Sequence, residues 1–88
     1  MQKINNNIGE KVDGIIARLY LVFGNTKAAK NKLLKLVEKN PNSYIGHKLL
    51  GYIYEQEGGQ RKAVDEYAQA ISINKEDYDT YYKVANIL

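Results

Sequence analysis

Residues Tyr44–Asp77 read YIGHKLLGYIYEQEGGQRKAVDEYAQAISINKED. Within this stretch Gly51, Ala63 and Ala70 are small, and the larger apolar residues Leu50, Tyr54, Tyr67 and Ile71 flank them. Gly58-Gly59 falls midway and interrupts the helical spacing. The pattern predicts two amphipathic helices of about four turns each, joined by a tight glycine turn and packed antiparallel. Small residues at the crossing let the backbones approach, and larger ones fill the groove beside them.

The chain matches itself when this unit is displaced by 34 positions. Backwards, Gly51 falls on Ala17, Tyr54 on Tyr20, Gly58 on Gly24, Ala63 on Ala29, Tyr67 on Leu33 and Ala70 on Leu36. Forwards, His47 falls on Tyr81, Leu50 on Val84, Gly51 on Ala85 and Tyr54 on Leu88. A fixed period in this range signals an array of stacked units. The chain then divides into a leader (1–9), a first unit (10–43), a second (44–77) and the first helix of a third (78–88). Five helices and no strand are expected, an all-α fold.

Taken in order, Asn5-Asn6-Asn7 in the polar leader is a candidate helix cap. Ile8, Val12, Ile15-Ile16, Leu19-Tyr20 and Phe23 follow helical spacing up to Gly24, so the first helix can begin before Glu10. Asn25-Thr26 can cap a second helix over about Lys27 to Lys39, closed by Asn40-Pro41. A third helix is predicted over about Tyr44–Gln56, a fourth over Gln60–Ile73, and a fifth from Tyr78 onward.

These residues resemble the tetratricopeptide repeat family. The second unit carries the family's Leu50-Gly51, Tyr54, turn Gly58, Ala63, Tyr67 and Ala70, but has His47 for the first aromatic and Lys75 for the closing proline. The first keeps Tyr20, Gly24, Ala29 and Pro41, with Asp13 for the aromatic and Leu33 and Leu36 in its second helix. The resemblance implies a right-handed solenoid of antiparallel hairpins, about two and a half units long. It also implies a protein-interaction scaffold holding an extended peptide or partner helix in a concave groove lined by the first helix of each unit. On this chain that face maps to Lys11, Gly14, Ile15 and Arg18, then Ile45, Lys48, Leu49, Tyr52 and Glu55, then Asp79, Tyr82, Lys83 and Asn86. Arg18, Lys48 and Lys83 bring positive charge to three successive helices, with Tyr52 and Tyr82 among them. That chemistry suits an acidic peptide, held by charge-assisted hydrogen bonds and tyrosine contacts. The family's two-carboxylate clamp needs Lys and Asn where this chain has Gly14 and Arg18, so a clamp of that kind is not expected.

The alternative is a self-assembly module. Val12, Leu19 and Phe23 at the start, and Tyr81, Val84 and Leu88 at the finish, are apolar where terminal repeats usually turn a polar face outward. The net charge of +3 is uneven. Residues 1–43 carry eight Lys/Arg against three acids, and residues 44–88 carry five against seven, which favours head-to-tail contact. The chain is then either one piece of a longer array or a self-associating unit.

Catalysis is not expected, and neither is a cofactor. His47 is the only histidine and there is no cysteine, so no thiolate site or thiol nucleophile is available. His47 stands at the family's aromatic position, where packing explains it. Asp65-Glu66 and Asp77/Asp79 fit wet outer faces and a helix start better than an acid–base pair. Gly58-Gly59 with Arg61-Lys62 lacks the spacing and preceding strand of a phosphate loop. Lys27, Lys30, Lys32, Lys35 and Lys39 form a lysine-rich second helix, but no aromatic alternates with them to stack a base, so a solvated face is expected and nucleic acid is not. No apolar run approaches the roughly 18 residues of a membrane span. A cytoplasmic location is expected, with a signal or anchor outside this sequence left open.

Overall fold

A computed structural model describes residues 2–88, with side chains from Ile8 onward. The described residues form five α-helices: α1 (Gln2–Val22), α2 (Thr26–Lys39), α3 (Tyr44–Gln56), α4 (Gln60–Ile73) and α5 (Tyr78–Ile87). Among the described residues there is no strand. The expected bounds of α3 and α4 match, and α2 begins at Thr26.

The start of α1 departs from expectation. The helix runs from Gln2, so Asn5-Asn6-Asn7 lies within it rather than capping it. Residues 2–9, expected as a leader, are continuous with α1, and Met1 lies outside the described residues. Asparagine is a mediocre helix former but not a breaker, so a helix anchored further along by packing extends through it.

Two turns close the hairpins in the same way. Gly24 and Gly58 adopt φ of +80° and +82°, which only glycine takes without steric cost. After α1, Gly24 N–H donates to Leu21 O and Asn25 N–H to Tyr20 O. After α3, Gly58 N–H donates to Glu55 O and Gly59 N–H to Tyr54 O. Each pair answers two carbonyls that a helix end leaves orphaned.

The connections between hairpins also repeat. Asn40 N–H donates to Leu36 O, and its side chain accepts from Asn42 N–H. Asn74 does the same with Ala70 and Glu76. Asparagine at 40 and 74 thus makes the turn by side-chain hydrogen bonding. Pro41 is not needed for that geometry, and Lys75 stands in its place in the second connection. Asn25, Ser43 and Asp77 then cap α2, α3 and α5 by accepting from the N–H of the third residue on. Gly59 caps α4 without a side-chain bond.

The buried apolar residues are Ala17, Ala29, Leu33, Leu36, Leu50, Ile53, Ala63, Tyr67 and Ala70. α3 packs most extensively on α4, then on α2, with a smaller contact to α1; α5 packs on α4. A Cβ built on Gly51 would lie 2.5 Å from the Tyr67 ring, so that ring occupies the space a side chain would need. A Cβ on Gly14 would lie 2.8 Å from Ile45 Cγ2, which brings α1 close to α3. Among the described residues, no helix is long and apolar enough to cross a membrane.

Candidate functional site

The residues proposed for binding sit on α1, α3 and α5. Arg18 is exposed on α1, and Tyr52 on α3 is 41% exposed. On α5, Tyr82 is 71% exposed and Lys83 is half-buried. Gly14 and Ile45 pack against each other, so that part of the expected face lies in the α1–α3 contact rather than open to a ligand.

Lys48 differs from the other two cations. Its Nζ lies 2.9 Å from Asp77 Oδ2, donates to the Tyr44 hydroxyl at 3.2 Å, and sits 5.5 Å above the Tyr44 ring. Its charge is engaged within the protein. Asp77 is buried and accepts from Thr80 N–H at 3.2 Å, from Thr80 Oγ1 at 2.6 Å and from the Tyr44 hydroxyl. Burial alone would raise the Asp77 pKa. Hydrogen bonds from Thr80, Tyr44 and Lys48 outweigh it and hold the carboxyl well below the usual aspartate range. Burial alone would lower Lys48, and its bonds to Asp77 and Tyr44 raise it instead. The sequence pointed to Lys48 as a ligand contact and to Asp77 as a helix start. Their union ties α3 to the N-terminus of α5.

His47 is buried as expected, but its surroundings are polar. Nδ1 lies 2.7 Å from Glu66 Oε1 and Nε2 lies 2.7 Å from Pro41 O. Both partners are acceptors, so the ring serves both only when each nitrogen carries a proton. His47 joins α3 to α4 and to the α2–α3 connection. Tyr67 donates to Glu55 Oε1 at 2.7 Å. Burial and the neighbouring Glu55 carboxylate push the Tyr67 phenol far above its ordinary range. Glu55 is thereby drawn toward α4. Among the described residues, no three of His, Cys, Asp or Glu converge as metal ligands would.

The lysines of α2 divide. Lys30 pairs with Glu57 at 2.9 Å and lies 4.9 Å over the Tyr54 ring, bridging to α3. Lys32 pairs with Asp13 at 3.3 Å. Lys35 and Lys39 line an open cleft of about 460 Å³ with Asp13, Tyr20 and Asn31. An aromatic therefore does stand beside these lysines. It comes from α1, which scanning α2 alone could not find.

At the ends, Phe23 and Leu88 are 82% and 88% exposed. Val12, Leu19 and Tyr81 are also exposed, and Val84 is half-buried. A second cleft, of about 370 Å³, opens between α4 and α5 where Val64, Ile87 and Leu88 meet Arg61 and Asp65.

No protein-family model matches the chain. An uncharacterized protein of Haemophilus influenzae is 28% identical over 85 residues, spanning 97% of this chain and 48% of that protein. The chain spans about half the length of this curated relative.

Proposed function

We propose that this chain is a helical-repeat interaction module of tetratricopeptide type, about two and a half units long, that binds an extended acidic peptide or a partner helix across α1, α3 and α5. It is a binding module rather than an enzyme. The supporting observation is the recurrence of local structure at the 34-residue spacing. Gly24 and Gly58 share a left-handed backbone, Asn40 and Asn74 share a turn, and Ala17 and Gly51 are both buried, as are Ala29 and Ala63. Units that recur in this way stack in one direction and leave a continuous face for a partner.

On that face Arg18 and Lys83 supply charge, and Tyr52 and Tyr82 supply contact area. Lys48 contributes by fixing α3 against α5. Fluorescence anisotropy with an acidic and a basic peptide of equal length tests this. The acidic peptide should bind more tightly, weaken with salt because exposed charges are screened over about 8–10 Å, and weaken further in Arg18→Glu/Lys83→Glu. Equal affinity for the two peptides removes the idea.

Self-association is the second reading, favoured by the exposure of Phe23 and Leu88 at opposite ends of the helix order. Light scattering should then give a mass that rises with concentration and falls back in Phe23→Lys or Leu88→Lys. A constant monomer mass at millimolar concentration excludes it.

A further inference from the structure

α1 carries an apolar seam that extends beyond the Val12 and Leu19 of the expected stacking face. Ile8, Val12, Ile15, Leu19 and Val22 are spaced four, three, four and three residues apart, and each is 46–77% exposed. At 3.6 residues per turn they fall within an arc of about 80°. On the opposite side of the helix Gly14 and Ala17 are buried in the protein. Alternating three- and four-residue spacing along one narrow line is the signature of a coiled-coil seam, with Val12 and Leu19 at the a positions and Ile8, Ile15 and Val22 at d.

The borders of the seam are basic. Lys11 and Arg18 occupy successive g positions along one edge, and both are exposed. Beyond the other edge, past Tyr20 and Asp13, the cleft holds Lys35 and Lys39. A second copy of the chain answers this charge poorly. Two α1 helices laid antiparallel would set basic flank against basic flank, and parallel pairing would set Lys11 and Arg18 against the uncharged e positions Gly9, Ile16 and Phe23. Three of the seven acids in residues 44–88 are also engaged internally, since Glu57, Glu66 and Asp77 lie against Lys30, His47 and Lys48.

We propose that the exposed seam of α1 is a docking site for an amphipathic helix of another protein, with apolar a and d positions and acidic flanks that meet Lys11 and Arg18 on one side and the α2 lysines on the other. The site shares Lys11, Ile15 and Arg18 with the α1 part of the proposed groove, but it needs neither α3 nor α5. Narrow 3-4 spacing favours a helix over a lipid surface, which would call for a broader apolar face.

The test uses two synthetic helices of about three heptads, alike in their Leu/Ile seam, one with Glu and one with Lys at e and g. Titrated into the full chain by calorimetry, the Glu-flanked helix should bind about tenfold or more tightly than its twin, a difference of about 1.4 kcal/mol. Lys11→Glu/Arg18→Glu inverts one of the two basic flanks and should remove most of the preference. Leu19→Glu should abolish binding with the circular-dichroism spectrum unchanged, and Val12→Glu serves if Leu19→Glu unfolds. Tyr82→Ala/Lys83→Glu, on α5, should leave this binding intact, which separates failure here from failure of the groove reading. Equal binding of the twins overturns the proposal. So does adsorption to phosphatidylcholine–phosphatidylserine vesicles that Leu19→Glu abolishes while neither helix binds, and so does a dimer dissolved by the same substitution.

Discussion

Gly51 shows how much one missing side chain decides. The Tyr67 ring fills the volume its Cβ would take, and Tyr67 in turn is fixed by its bond to Glu55. Gly51→Ala should therefore overpack the α3–α4 crossing, where such changes typically cost ~1–3 kcal/mol. For a domain of this size each kcal/mol lowers Tm by about 4–8 °C. Gly9→Ala is the control, because nothing lies within 4 Å of its Cβ and a helical alanine there should raise Tm. If both substitutions move Tm the same way, the packing account fails. That Gly51 would be buried was legible from the 34-residue match. That its close neighbour would be the Tyr67 ring was not, because spacing along one helix says nothing about rotamers on the next. The pairing of Lys48 was not legible for a related reason: its partner Asp77 is brought near only by the turn that ends α4.

At the scale of elements, adjacent glycines have unlike roles. Gly58 has φ of +82°, whereas Gly59 caps α4 at φ of −85°. Gly58→Ala should cost about 1–2 kcal/mol, the usual penalty for a side chain in the left-handed region. Gly59→Ser fits its backbone and adds a capping hydroxyl, so it should be neutral or stabilise by a few tenths of a kcal/mol. Urea midpoints of the two variants check this; a larger loss in Gly59→Ser refutes the assignment. Helix number and most boundaries could be read from the sequence because apolar period, glycines and cap residues agreed. The apolar spacing put the start of α1 before Glu10 but not as early as Gln2, since Asn5-Asn6-Asn7 suits a cap as well as a helix interior. The Asn40/Asn74 turns could have been found from their own 34-residue spacing, but Pro41 drew attention first.

For the whole molecule, acid provides the test of how the hairpin is joined to α5. Because the Asp77 carboxyl is held below its ordinary value of about 3.9, the folded chain takes up that proton less readily than the unfolded chain. The stability it contributes is complete above that pH and is lost as pH falls through the folded value. Asp77→Asn keeps a capping side chain but removes the charge facing Lys48. Between pH 5 and pH 2, the wild-type urea midpoint should fall more steeply than that of Asp77→Asn, against the background of carboxylates both share. Parallel curves would show that the α3–α5 tie contributes nothing to stability.

The same tie has a consequence in time. Tyr44 and its acceptor Asp77 are 33 residues apart along the chain. At ~5–20 residues per second, synthesis separates them by roughly 2–7 s. During that interval the hydroxyl of Tyr44 and the ammonium of Lys48 are solvated by water, while the apolar surfaces of α1, α2 and α3 are already able to meet. A nascent chain therefore gathers its first hairpin and α3 through oily contacts, and the charged fastening closes only once α5 has been made.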